Sequence, residues 1–324
     1  MFGLTAKLLL LLQLSLVSLA LSQPISLSSS SLLKRAPDKV GYLFIHFYDN
    51  YRAPGDYSTY PAGEQIFGHI SNGNDALFYK PLKGGAPLLT SDVGTKGVRD
   101  MYITAVGGFG GKFLSRSLVI WDSEGASLTN WKAPRLVQVV PDNFRMAWAP
   151  EAIWLEDEQR FLVYWSSNKF ADASHSGDPD YDKNYSSYTT DFVTFTAPEV
   201  FMDLGNNTVD IDLTIGHGPT NGGDQYVRFF KDESVYKVRG QVSNSGIQGP
   251  WLDIDSSTSF IDNNNQAEAP IYIQENTSDS ADNGIDQYGF TDLGFPSGMP
   301  TQLKHGSIKP LTQAQYDEIN AAWA

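Results

Sequence analysis

The chain has 324 residues, no cysteine, 41% hydrophobic and 19% charged residues, and a formal net charge of −14. This composition excludes a disordered chain and a disulfide-stapled one, so stability must come from a sizeable hydrophobic core. The acidic balance argues against nucleic acid and anionic membrane surfaces as partners; it fits a neutral partner such as a polysaccharide, or serves solubility alone.

Lys7 precedes an apolar stretch from Leu8 to Leu21, and Ala20-Leu21-Ser22 supplies small residues at cleavage spacing. Residues 1–22 therefore read as a secretory signal peptide, because the apolar run is too short to span a bilayer. The protein is expected to be secreted and extracellular. A Ser-rich stretch and the dibasic pair Lys34-Arg35 follow, so 23–35 reads as a propeptide and 36–324 as one domain.

Strand signals dominate the remainder. Tyr42–Tyr48, Ser117–Trp121, Phe161–Trp165 and Gln225–Phe230 are aromatic, β-branched runs separated by Gly, Asn and Asp clusters. Only Thr312 to Ala324 reads as a helix, with Thr312 as cap and Gln315 three residues on. A weak repeat places Phe78, Trp131, Phe195 and Trp251 roughly fifty to sixty residues apart, a spacing expected of propeller blades rather than of a sandwich. Three sequons begin at Asn184, Asn206 and Asn276, each with polar flanks as expected of glycosylated surface loops.

Three acidic motifs stand out: Val98-Arg99-Asp100, Trp148-Ala149-Pro150-Glu151 and Ala267-Glu268-Ala269-Pro270. Each puts a carboxyl group in or beside an apolar, β-prone run, where an isolated ion is costly. Carboxyl groups meeting at a shared site point to cleavage of a glycosidic bond, one donating a proton and another activating water. The plainer readings are a strand-end carboxylate for Asp100 and a solvated acid for Glu268. Asp212 sits in a further apolar run and either reaches the same pocket or accepts a structural hydrogen bond. Trp148 and Trp165 are candidates for stacking on a sugar ring, with blade core as the alternative. Arg228 is a candidate ligand for a sugar hydroxyl or carboxylate, with pairing to Asp232 or Glu233 as the alternative.

Taken together with Gly63-Glu64-Gln65-Ile66, Tyr164-Trp165-Ser166-Ser167, Gly249-Pro250-Trp251 and His305-Gly306-Ser307, the motifs from about Gly41 to Trp323 resemble glycoside hydrolase family 43. The resemblance implies an all-β, five-bladed β-propeller that hydrolyses arabinose- or xylose-containing plant polysaccharide with inversion, as an α-L-arabinofuranosidase or β-xylosidase. It implies Asp100 as general base, Glu268 as general acid, and Glu151 as the group that orients the acid and sets its protonation. It implies no required cofactor, and a structural calcium ion on the propeller axis with His305 nearby as its candidate ligand. Departures from the pattern are Met101 where a proline usually follows the base, Glu151 for Asp, and Ala269 for Gly. The fifth blade is shortened, since little chain lies between Glu268 and His305 beyond an acidic, polar stretch. The rival readings are a non-catalytic sugar-binding propeller and a secreted protein-interaction scaffold.

Overall fold

The computed structural model describes residues 39–48, 63–104, 107–111, 115–205, 209–217, 225–254, 269–273, 297–301 and 304–324. Asp38–Ala324 form one compact unit, and Met1–Pro37, the other, fall outside the described residues.

Three strands open the described chain: β1 (Lys39–His46), β2 (Phe67–Asn72) and β3 (Asp75–Pro81). A four-stranded antiparallel sheet follows, of β4 (Arg99–Ile103), β5 (Gly107–Gly111), β6 (Ser117–Asp122) and β7 (Arg135–Gln138). The next sheet holds β8 (Trp148–Leu155), β9 (Arg160–Ser167), β10 (Lys183–Thr189) and β11 (Glu199–Met202). Another holds β12 (Val209–His217), β13 (Tyr226–Asp232), β14 (Lys237–Ser243) and β15 (Leu252–Asp253). The last strand, β16 (Gly306–Thr312), returns to the start of the fold and pairs with β1, so the first sheet runs β16-β1-β2-β3.

The first strand of each sheet lies beside that of the next: β16 packs near β4, β4 near β8, and β8 near β12. This order follows from alternation within strands whose two faces are both apolar. In β6, Val119 and Trp121 join a core with Leu43, Ile45 and Met101, while Leu118 and Ile120 join the next core with Phe161, Val163 and Trp165. In β9, Leu162 and Tyr164 enter a third core with Leu213, Ile215 and Phe230. The second and third sheets are thus each sandwiched between neighbours, as blades are. The far face of the first sheet, Tyr42, Phe44 and Tyr79, is covered by Ile271, Ile273 and Met299. Tyr272 of the same short segment stacks on Phe229 of β13 at 6.0 Å. Residues 269–273 therefore touch both the first sheet and the β12–β15 sheet.

The sequence repeat maps onto these sheets. Trp131, Phe195 and Trp251 each pack half-buried against one of the three cores, but Phe78 on β3 is 43% exposed. The predicted helix is α1 (Gln313–Trp323), and its capping box is formed as expected: Thr312 caps Gln315 N, and the Gln315 side chain accepts from Thr312 N at 3.0 Å. Glu318 of α1 accepts from Leu128 N and Thr129 N, both at 3.1 Å, and Tyr316 Oη donates to Ser71 O, so α1 ties the first two sheets together. No helix among the described residues is long and apolar enough to cross a membrane.

Two sequence expectations are corrected here. Asn184 does not lie in a surface loop: it pairs with Ser166 inside β10, is fully buried, and cannot present its amide to a glycosyl donor. Polar flanks stood for exposure, but Ser186 and Ser187 are buried with it. Trp165 is likewise fully buried, in the core between the second and third sheets, and offers no face to a sugar. Asn206 and Asn276 lie outside the described residues.

A buried histidine pair sits at the end of β1. His46 Nε2 and His69 Nδ1 are 2.9 Å apart. Burial is the main cause that pushes their pKa values down to about 3 and about 4. Unfolded, both return to about 6.5. Between these values the unfolded chain binds the extra protons, so stability is full above pH 6.5 and falls as the pH drops toward the folded values. The unfolding free energy from denaturant titration is expected to fall from pH 7 to pH 5 by at most roughly 2 kcal/mol per histidine. A His69→Gln variant should show a flatter profile, and an equal fall in both would remove the pair as the cause.

Candidate functional site

The initial strands β4, β8 and β12 share a local irregularity at the same end. Pairing of β4 with β5 shifts register between Arg99 and Tyr102, and pairing of β8 with β9 shifts between Trp148 and Glu151. Pairing of β12 with β13 shifts between Val209 and Leu213, the stretch that holds Asp212. Bulges of this kind re-aim side chains and concentrate beside binding sites. Left-handed backbone accompanies two of them, at Asp100 (φ 49) and Ala149 (φ 42), and recurs at Ala269 (φ 58). A non-glycine residue there costs about 1–3 kcal/mol. Asp tolerates the region better than alanine does. The usual glycine in place of Ala269 is explained by the same angle.

The irregular ends bring two of the three predicted carboxyl groups to one imidazole. His305 precedes β16; its Nδ1 lies 3.5 Å from Asp100 Oδ1 and its Nε2 lies 3.9 Å from Glu151 Oε1. Glu151 is nearly fully buried, whereas Asp100 keeps 20% of its side chain exposed, so Asp100 is the more accessible to a ligand. Tyr164 Oη donates to Glu151 Oε2 at 2.7 Å and accepts from Ile215 N at 3.0 Å, which links β8, β9 and β12. Burial, then the Glu151 charge, pushes the Tyr164 phenol far up, so it stays a proton donor to the carboxylate.

Other bonds fix the three residues. Arg99 donates through Nε and Nη2 to Glu64 Oε1 at 2.8 and 2.5 Å, and Glu64 is 1% exposed. Glu64 O also accepts from Val98 N at 2.8 Å, so Val98 and Arg99, the two residues before Asp100, are positioned from one buried acid. His305 is held between Lys304 N, bonded to Phe47 O, and Ser307 Oγ, bonded to Ile103 N of β4.

Among the remaining candidates, Trp148 begins β8 and is half-buried. Asp212 lies in β12 within the irregular stretch. Arg228 is not available to a sugar. Its Nε and Nη2 donate to Gln241 Oε1 at 2.8 and 2.5 Å, its guanidinium lies 4.2 Å from the Trp251 ring, and burial lowers its pKa to about 9. It is a structural cation within the β12–β15 sheet, and its partner is neither Asp232 nor Glu233. Glu268 lies outside the described residues, immediately before Ala269. No group of three His, Cys, Asp or Glu side chains among the described residues is arranged to hold a metal ion. His305 faces two carboxylates at ion-pair distances.

Sequence reasoning missed Tyr164 and Glu64 as site residues. Strand alternation could have found the first: once Trp165 is given to one core, Tyr164 must face the other side.

A family model described as "Probable glycosyl hydrolase domain", related to glycosyl hydrolase 43, matches residues 38–113 and 105–317. An α-L-arabinofuranosidase of Bifidobacterium longum subsp. longum is 28% identical over 202 residues, which are 53% of this chain and 18% of that protein. The chain thus spans less than a fifth of the curated relative it matches. Among solved structures, an α-L-arabinofuranosidase of Fusarium graminearum in complex with an iminosugar inhibitor is 13% identical, with 68% of each chain covered and a TM-score of 0.43. An α-L-arabinanase of Penicillium chrysogenum complexed with arabinobiose is 11% identical, with 68% of each chain covered and a TM-score of 0.40.

Proposed function

Because this chain belongs to the glycosyl hydrolase 43-related family, we propose that it is a secreted, inverting glycoside hydrolase of the α-L-arabinofuranosidase or β-xylosidase type. Its substrate is an arabinose- or xylose-containing plant cell-wall polysaccharide. One observation carries the reading: Asp100 and Glu151, from neighbouring initial strands, meet at the two nitrogens of His305.

In this reading Asp100, the more exposed carboxylate, takes a proton from the water that attacks the anomeric carbon. Glu268 gives its proton to the glycosidic oxygen as the carbon–oxygen bond breaks. Glu151, anchored by Tyr164, orients the acid and keeps it protonated by like-charge repulsion. Inversion requires acid and base about 6.5–9.5 Å apart, with water between. Trp148 and Asp212 contribute to the sugar pocket. No cofactor enters these steps.

The fold is read as a five-bladed propeller with a shortened fifth blade. The support is the placement of residues 269–273 against both the first sheet and the β12–β15 sheet. Residues 36–324 make up the catalytic domain, preceded by signal peptide and propeptide, and glycans sit on Asn206 and Asn276. The brevity of the fifth blade favours one second reading, a propeller that binds glycan without turnover.

A general acid matters most when the leaving group is poor. Glu268→Gln is therefore expected to slow release of arabinose or xylose from oligosaccharides by about 10²–10⁴-fold, and to slow aryl glycosides less. Proton NMR of the first product should show the inverted anomer. A retained anomer, or unchanged turnover in the variant, would defeat the mechanism; absence of turnover on any arabinoside or xyloside would leave the binding reading.

A further inference from the structure

A groove of about 660 Å³ lies between the second and third sheets, lined by Thr95, Arg116, Gln138, Arg145, Phe170 and His175 among others, with no acid in its lining. Strand registers place it at the site end of both sheets. Arg99 at the start of β4 pairs with Gly111, Gly110 with Val119, and Ser117 with Gln138, so Arg116 and Gln138 lie at the Asp100 end. Trp148 at the start of β8 pairs with Ser166, so the segment holding Phe170 and His175 emerges at the Glu151 end. Arg145 stands three residues before β8.

This lining is unusual in a chain of net charge −14. Arg145 is exposed, and its guanidinium makes no hydrogen bond or ion pair among the described residues. Asp182, an acid whose charge it offsets, is already bonded by Asn168 Nδ2 at 2.6 Å. Arg116 is only partly neutralised, by a 3.4 Å contact to the exposed Asp142. Phe170 and His175 stack face to face at 4.3 Å and 13°, so the pair lines the groove as one rigid aromatic block with an outer flat face. A flat aromatic wall suits a sugar ring, and a free planar guanidinium suits a carboxylate.

We infer that this groove is a subsite for a uronic acid unit of the glycan whose neighbouring residue reaches Asp100 and Glu151. The inference rests on the hydrolase reading for its catalytic neighbour, but binding alone tests it. The carboxylate pairs with Arg145, aided by Arg116, and its ring lies against Phe170 and His175. The groove thereby selects acidic hemicellulose over the neutral polymer.

The test is isothermal titration of the purified protein with a glucuronic-acid-branched xylo-oligosaccharide and with its carboxyl-reduced counterpart. The acidic glycan should bind about tenfold more tightly. Arg145→Gln, or raised salt, should bring the two affinities within about twofold. Arg116→Gln should reduce the preference less, because Asp142 already offsets that charge. Equal affinities in the parent protein, or a preference that survives Arg145→Gln, would overturn the subsite. If neither glycan binds while aryl arabinofuranosides are still hydrolysed, the subsite alone falls; if hydrolysis is absent too, the hydrolase reading falls with it.

Discussion

Replacing Asp100 with Asn is expected to lower kcat/KM by about 10³-fold, with unfolding free energy changed by no more than about 0.5 kcal/mol. The substitution separates proton transfer from backbone effects. Asp100 sits at φ 49, a conformation that costs most residues energy. Asn tolerates it nearly as well as Asp, and it preserves the shape facing His305. What it removes is the ability to accept a proton from attacking water. Steady-state rates on an aryl arabinofuranoside and an aryl xyloside, together with denaturant midpoints, would check both halves. Full activity in Asp100→Asn would remove Asp100 as the base, whatever the geometry around His305.

Gly306→Ala is expected to give the largest loss of stability, about 3 kcal/mol or more. A methyl group at Gly306 would lie 1.9 Å from Ile45 O and 2.7 Å from the His46 Cα. Both are backbone atoms of β1, so no side-chain rotation relieves the clash, and the register His46↔Gly306 must shift. Relief by moving β16 would also displace His305 from Asp100 and Glu151. The expected result is a lower denaturant midpoint together with reduced activity in the molecules that remain folded. An unchanged midpoint would mean that β16 does not pack against β1 as closely as described.

The parts of the fold legible in the sequence were those with a local cause. Aromatic, β-branched runs marked β1, β6, β9 and β13, and Thr312 with Gln315 marked the start of α1. The pairing of β16 with β1 was not legible, because no local period records which distant strand completes a sheet. Asp100 and Glu151 drew notice as carboxyl groups embedded in apolar runs, and both lie beside His305. Trp165 was a candidate for sugar stacking with blade core as the alternative, and it lies in the core; Arg228 is buried against Gln241 and Trp251 rather than paired with Asp232 or Glu233. Strands sandwiched on both faces carry no polar face to separate pocket from core. Asn184 failed in the same sense, since polar Asn184, Ser186 and Ser187 of β10 are all buried.

The return of β16 to the first sheet has a consequence for biogenesis. While a ribosome is still making the chain, β1 has β2 on one side only and presents its other edge unpaired, an invitation to misassociation. That edge closes only when residues from the opposite end of the sequence arrive, a contact of very long range whose loop entropy must be met first. Assembly of this sheet therefore waits until residues 306–312 have left the ribosome, and the edge of β1 stays open to misassociation until then.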